Sequence, residues 1–168
     1  MDSDRLNRWL TLGANVGVLA GIILLLVELD QNREAIQAQT RSSLSQGIVD
    51  HMSLIASNSQ LASLRRRIDA GEEATVNEHY QYELITRAIV RYWENVHYQY
   101  RQGLYDEAEF TAHRKAIRGY FAYSKAIVEF WCTNKFGMSP EFAEEIDGLL
   151  TTYDCSRIEA SEGQTGLD

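Results

Sequence analysis

The hydrophobic pattern of the chain begins with one long apolar segment near the N-terminus. Positions 9–27 have the sequence WLTLGANVGVLAGIILLLV and hold no charged residue. A helix needs about 20 apolar residues to cross a bilayer, so this segment predicts a transmembrane helix. Two alternatives stay open: a buried helix of a soluble protein, and a signal peptide cleaved after Val18-Leu19-Ala20. The apolar run continues past that point to Val27, which favours an uncleaved anchor.

After Glu28 the apolar residues recur at helical spacing between polar ones, and the chain holds a single proline. The pattern predicts an all-α fold in which the N-terminal transmembrane helix continues into a long helix, followed by a compact bundle of about five further helices. We place the anchor at 1–29, the helical soluble domain at 30–156 and a polar C-terminal tail at 157–168. The predicted helices are one to about Ser57, then Gln60–Ala70, Val76–Arg101, Glu107–Tyr120, Ala122–Phe136 and Pro140 to about Tyr153.

Glycines and capping residues set several of the predicted helix ends. Gly71 and Gly103 are expected to end the second and third helices. Asp106 is expected to cap the fourth helix in a box with Glu109, and Ser139 is expected to cap the last one. The apolar residues expected to face inward from the third helix are Leu84, Ile85, Ala88, Ile89, Tyr92, Val96 and Tyr100.

The charge distribution bears on partners and on orientation in a membrane. The formal net charge is −8, nearly all of it after position 29, so the domain repels phosphate backbones and nucleic acid is excluded as a partner. Arg5 and Arg8 precede the apolar segment, whereas Arg33 and Arg41 follow it. This slight bias favours a cytoplasmic N-terminus, which places the helical domain on the non-cytoplasmic side.

Small residues recur along one face of the predicted span. Asn15 lies on roughly the opposite face, where its amide would seek a partner in a neighbouring helix. Small residues at every fourth position let two backbones approach closely, so the pattern predicts a homo-oligomer. An ion-conducting or gating assembly with Glu28 at its mouth is the alternative function. The residues of this small-residue face are Gly13, Gly17, Ala20, Gly21 and Leu24.

Three sequence features resemble a known group of proteins. They are the span ending in LVELDQN, the run Tyr92-Trp93-Glu94-Asn95 with the segment 98–103, and Phe136 followed by Ser139-Pro140-Glu141-Phe142. The chain resembles uncharacterised bacterial single-pass membrane-anchored helical proteins over nearly its whole length. The resemblance implies the anchor-plus-helices plan and a location in the bacterial inner membrane, and it implies no activity.

The residues that best fit a binding site lie on the third predicted helix. Trp93 and His97 are expected at the border between its apolar and polar faces, and Glu94 and Tyr98 on its polar side. Arg87 and Arg91, one turn apart, could hold a carboxylate between them. The competing interpretation is that these residues pack a helical bundle. Any partner would be a protein or a small molecule.

Other candidate chemistry is weaker. Glu94-x-x-His97 has the spacing of a di-iron ligand pair, but the sequence lacks a second such pair, since the nearest substitutes, Glu109 with His113 and Glu83 with His79, have a different spacing. No catalytic or cofactor motif is found, so a non-enzymatic scaffold, sensor or binding module is the predicted function.

Two further features stay open at this stage. The basic run 65–67 is expected to form a solvated face or a salt bridge between subunits. Cys132 and Cys155 are equally compatible with a disulfide in an exported domain and with two free thiols.

Overall fold

The computed structural model describes residues 3–150 and Cys155, and this part of the chain confirms the all-α fold. A long first helix is followed by five further α-helices, as predicted. A 3₁₀ turn at Lys135–Gly137 connects the last two of them. The helices are α1 Ser3–Ala56, α2 Ser59–Asp69, α3 Val76–Arg101, α4 Glu107–Tyr123, α5 Lys125–Asn134 and α6 Pro140–Leu149.

The largest departure from the predicted boundaries is at Ser124. The sequence predicted a helix over Ala122–Phe136, but Ser124 has extended backbone angles and separates α4 from α5. Its hydroxyl accepts the Ile127 N–H at 3.3 Å and so caps α5. Phe136 belongs to the 3₁₀ turn rather than to α5. The last helix ends at Leu149, about four residues before the predicted end near Tyr153, and the predicted tail 157–168 lies outside the described residues.

The predicted glycine ends are confirmed. Gly71 and Gly103 follow α2 and α3 with φ of 80° and 69°, a conformation that favours glycine. Asp106 also caps α4 as predicted, because its carboxylate accepts the N–H groups of Ala108 and Glu109 at 2.8 and 3.1 Å.

One detail of the predicted caps is wrong, and one cap was not predicted. The Glu109 side chain does not complete a box at α4 but pairs with Arg41 at 2.7 Å. The complete capping box lies instead at the start of α3, where Thr75 and Glu78 bond each other reciprocally.

The described chain divides into two units between Gln39 and Thr40, and α1 runs without a break through the division. In the second unit the largest cluster of buried residues is formed by α3, α4, α5 and α6, with Trp131 and Phe142 fully enclosed. Leu44 of α1 packs with Val96 and Phe110 in a second cluster. The tertiary structure that can position a site is therefore concentrated in the second unit.

The inward face of α3 is rotated from the predicted one. Ile85, Ile89 and Val96 are buried as expected, but Leu84 and Ala88 are exposed. The buried side also takes in Trp93 and His97. Because α3 carries apolar residues on two sides, periodicity alone did not determine which side faces the core.

Candidate functional site

The first candidate site is the apolar segment of α1. Its large side chains are exposed all around the helix, and Leu24 and Leu25 are typical, at 65% and 59% exposure. No residue in its most apolar window is buried by the rest of the chain. Among the described residues this is the one helix that is long and apolar enough, by length and composition, to cross a membrane.

The three glycines of this segment have no role in packing within one chain. A Cβ atom built on Gly13, Gly17 or Gly21 meets nothing within 4 Å. The other predicted oligomerisation residues, Asn15 and Leu24, are exposed as well, and so is Ala20. The face is therefore open along its length in the single chain.

Trp93 and His97, predicted to bind a partner, lie elsewhere than expected, whereas Tyr98 is exposed as predicted. Trp93 is 2% exposed, with its ring 5.4 Å from that of Tyr120 and 5.9 Å from that of Phe121. His97 is buried between the rings of Phe110 and Phe142. Their predicted position at the border of the polar face is wrong, because both point into the core. Neither ring offers a surface to a partner.

Arg87 and Arg91 of α3 do not hold one shared carboxylate. Arg87 pairs with Glu83 and donates to the Asn134 side-chain oxygen at 2.8 Å. Arg91 donates to Glu94 at 2.6 Å and to the Gly137 carbonyl at 2.9 Å. These bonds tie α3 to the end of α5 and to the 3₁₀ turn, so both arginines connect elements of the bundle.

Glu94 takes over a capping role at the start of α6. Its carboxylate accepts the Ser139 N–H at 2.6 Å, whereas the Ser139 side chain makes no cap hydrogen bond. Partial burial acts to raise the pKa of Glu94, but the Ser139 N–H and Arg91 outweigh it and hold the pKa below its ordinary value. Since Glu94 is committed to α6 and His97 to the core, the Glu94-x-x-His97 spacing does not build a metal site here.

A polar cluster lies where α2, α3 and the α4–α5 junction meet. One Asp69 oxygen accepts both the Tyr82 hydroxyl and the Ser124 hydroxyl at 2.6 Å, and the Arg65 Nε lies 3.5 Å from the other oxygen. Burial, followed by the Asp69 carboxylate, raises the pKa of Tyr82 to about 12, so this hydroxyl stays a donor. Ser124 is buried and its oxygen already accepts the Ile127 N–H. The cluster therefore fixes three elements and presents no accessible nucleophile.

A groove of about 470 Å³ lies beside this cluster, lined by α2, α3 and α5. That volume lies within the range of small-molecule sites. Its apolar lining residues are Ile68, Tyr82, Ala126 and Phe130, and its charged or titratable ones are Glu72, His79, Glu83, Lys125 and Glu129. Glu129 pairs with Lys125 at 3.1 Å and Glu83 pairs with Arg87, so Glu72 is the remaining lining carboxylate, and it favours a ligand with a cationic group. Of these residues the sequence prediction named only Glu83 and His79, and those as weak metal ligands.

The basic run 65–67 makes its contacts within the chain. Arg65 pairs with Asp69 and lies over the Tyr120 ring, 5.5 Å from its centroid, while Arg67 pairs with Glu78. The first of the two expectations, a wholly solvated face, does not describe these two arginines. They join α2 to the rest of the bundle.

Cys132 and Cys155 form a disulfide, with their Cα atoms 5.3 Å apart. Cys132 is fully buried on α5. The bond closes the segment that contains the 3₁₀ turn and α6. Of the two alternatives that the sequence left open, the structure has the disulfide.

The described residues contain no group of three or more His, Cys, Asp or Glu side chains that could hold a metal ion. No family model, curated protein or solved structure matches the chain.

Proposed function

We propose that the protein is a single-pass membrane protein that forms a homo-oligomer and presents a non-enzymatic helical binding module. The observation that carries the proposal is the exposed apolar segment of α1, whose side chains find no cover within the chain. Soluble monomers rarely expose contiguous apolar patches beyond a few hundred Å². The hydrocarbon core of a bilayer covers such a surface over its full length.

The disulfide supports placing the module outside the cytoplasm. Disulfides persist in oxidising compartments and are rare in the cytosol. The amino terminus, together with Arg5 and Arg8 close before the span, favours the same orientation. The resemblance to bacterial anchored proteins is our reason for proposing the bacterial inner membrane as the location.

The open glycine face supports self-association within the membrane. Gly13, Gly17 and Gly21 pack against nothing in their own chain, so their small size has no explanation within one copy. A second copy can use it, because close backbone approach is what drives such helix pairs.

The groove beside α3 supports the binding function. It combines an apolar lining, in which Tyr82 and Phe130 are the aromatic members, with the acidic side chains of Glu72, Glu83 and Glu129. An aromatic and acidic lining suits a compact molecule or side chain with an apolar body and an ammonium group.

Alkaline carbonate extraction tests the anchor. The protein should stay in the membrane pellet at its full-length mass, and protease added outside the inner membrane should reach the domain. Release into the supernatant, or a mass that begins near Gly21, contradicts the anchor.

Replacement of Gly17 by Ile tests the self-association. The branched side chain stands where the backbones should meet, so native mass spectrometry should show a smaller oligomer. An unchanged subunit number contradicts the glycine interface. Conductance by the protein in reconstituted bilayers would instead favour the channel alternative.

A further inference from the structure

The second half of α1 rests on the bundle through a narrow stripe of side chains. Of residues 40–56 only Leu44 is buried, while Ile48, His51 and Ile55, which follow on the same side of the helix, are half-buried. Most of the other side chains of this segment are exposed. A segment with so few buried apolar contacts opens at a lower cost in free energy than the core of a domain does.

Two imidazole nitrogens are buried at this stripe without a hydrogen-bond partner. They are the Nε2 atoms of His51 on α1 and of His113 on α4, and no described residue donates to them or accepts from them. The His113 ring lies 5.6 Å from the Tyr92 ring. Gly47 of α1 rests against the same ring, since a Cβ atom built on Gly47 would lie 3.6 Å from it. Both nitrogens therefore lie where α1 meets the bundle.

The charged groups around His51 disfavour its protonated form. Arg65 of α2 is the charged side chain that acts on His51, and like charges repel. Asp69 pairs with Arg65 and accepts two hydroxyl groups of the polar cluster described above, so its carboxylate is already occupied. Asp50, the neighbour of His51 on α1, is exposed and accepts from the Gln46 side chain at 2.6 Å. His51 therefore has a cation beside it and no carboxylate partner within the described residues.

The charged groups next to His113 along α4 are paired with other elements. Glu109, one turn before His113, pairs with Arg41 of α1 at 2.7 Å. Arg114, which follows His113, pairs with Glu145 of α6. Neither carboxylate is available to stabilise a protonated His113.

We propose that protonation of His51 and His113 releases residues 40–56 of α1 from the bundle, so that this contact is a pH-sensitive switch. An imidazolium donates from both ring nitrogens, and in the docked state one of the two has no acceptor. Water supplies that acceptor once α1 moves away. The released form therefore takes up protons more readily than the docked form, and acid favours release.

The pH range of the switch follows from the direction of the pKa shifts. Burial lowers the pKa of both histidines below the ordinary value of 6.5, and Arg65 adds to this at His51. Docking is therefore at full strength above about pH 6.5 and weakens as the pH falls through that value. Each histidine changes the docking equilibrium by at most about tenfold per pH unit. The switch depends on neither the span nor the groove, because its residues lie in the second unit and outside the groove lining.

Distances between spin labels in the full-length protein in detergent test the release directly. One label on M52C of α1 and one on R118C of α4 occupy exposed positions of the two helices. Between pH 7.5 and pH 5.0 the fraction of molecules at the docked distance should fall at least several-fold, and it should recover when the pH is restored. Dilution with unlabelled protein removes distances between copies, and the native cysteines take no label because they are bonded to each other.

A second label pair separates release from unfolding. Labels on Y98C of α3 and R118C of α4 both lie at exposed positions of the bundle, so their distance should stay the same at pH 5.0. If this distance changes together with that of the α1 pair, the domain unfolds as a whole and the switch is refuted. An α1 pair that keeps its distance at pH 5.0 refutes the switch as well.

Histidine variants identify the groups responsible. H51Q/H113Q replaces both imidazoles by neutral side chains, so the α1 pair should keep its docked distance at pH 5.0. H51L/H113L should behave in the same way and replaces the glutamine variant if that one does not fold. H79L, which removes an exposed histidine of the groove, should respond like the wild type. Release of α1 at pH 5.0 in a folded double variant would mean that other groups drive it and would overturn the proposal.

Discussion

Leu25 and Leu44 lie on the same helix, yet Leu25 is 59% exposed whereas Leu44 is 3% exposed. Leu25 belongs to the first unit of the chain and Leu44 to the second. In the second unit the chain encloses a core of its own apolar side chains, with charged pairs at the surface of the bundle. In the apolar segment of the first unit none of the described residues covers the large apolar side chains. The same residue type is therefore part of a packed core in one region and is left on the surface in the other.

The largest effect is expected when two tryptophans, one from each unit, are replaced. Trp131 is 0% exposed and donates to Asp147 at 2.8 Å, whereas Trp9 is 71% exposed. Trp131→Ala should lower the free energy of unfolding of the domain by about 3–5 kcal/mol, because it leaves a cavity and removes the hydrogen bond to Asp147. Trp9→Ala, the matched control, should change it by less than about 0.5 kcal/mol. Urea unfolding followed by circular dichroism measures both, and equal losses would contradict the comparison.

A charge in the middle of the apolar segment should weaken membrane anchoring and leave the stability of the domain unchanged. Val18→Arg places a guanidinium near the centre of the span, where insertion costs about 2.5–3.5 kcal/mol. The fraction of protein that resists carbonate extraction should fall, while the melting temperature of the domain should not change. Tyr123→Arg adds the same charge at an exposed position of the domain and should affect neither. If Val18→Arg extracts like the wild type, the segment is not an anchor.

The disulfide gives a test within the second unit alone. Cys155→Ser removes the Cys132–Cys155 bond and leaves the buried Cys132 as a thiol, so the core keeps its shape. The free energy of unfolding should fall by about 3 kcal/mol, a typical value for a loop of this size. Dithiothreitol should produce the same loss in the wild type and none in the variant. If dithiothreitol does not change the free energy of unfolding of the wild type, the bond is not formed in solution.

The smallest expected effect is a pH dependence confined to the domain. Burial lowers the pKa of His51, His97 and His113 below the ordinary value of 6.5; Arg65 adds to this at His51, and Glu145 opposes it at His97. As the pH falls, these histidines are therefore protonated at a higher pH in the unfolded chain than in the folded one. Stability should decrease below about pH 6.5, by at most about 1.4 kcal/mol per pH unit for each histidine.

Unfolding measured between pH 7.5 and 5.5 checks this slope, which should be steeper in the wild type than in His113→Leu. The exposed His79→Leu serves as the control and should keep the wild-type slope. Extraction from membranes should show no change over this range, since these histidines lie in the second unit. A flat stability profile would contradict the prediction.

Local signals in the sequence were enough to predict most helix ends. Gly71 and Gly103 each demand a backbone angle that other residues adopt rarely, and Asp106 offers its oxygen to the next turn, so each acts on its own neighbours. The break at Ser124 was missed although its bond to the Ile127 N–H is equally local, and its second partner, Asp69, is distant in sequence.

The candidate sites were less predictable for a related reason. Trp93 and Leu84 both fit an apolar face of α3, and only the packing of α4 and α5 decides that Trp93 is buried and Leu84 is not. The groove draws on Ile68, Tyr82 and Phe130 from three helices. No spacing along the chain brings such residues together.

The disulfide also affects how the domain responds to a protease. Phe136, in the 3₁₀ turn between Cys132 and Cys155, is 78% exposed and is a favourable cleavage point for chymotrypsin. A cut there breaks one peptide bond but releases no fragment, because the two pieces remain joined through sulfur. The nicked protein would run as one band on a gel without reductant and as two bands with it. A single cut in this turn would therefore leave α6 covalently attached to the bundle.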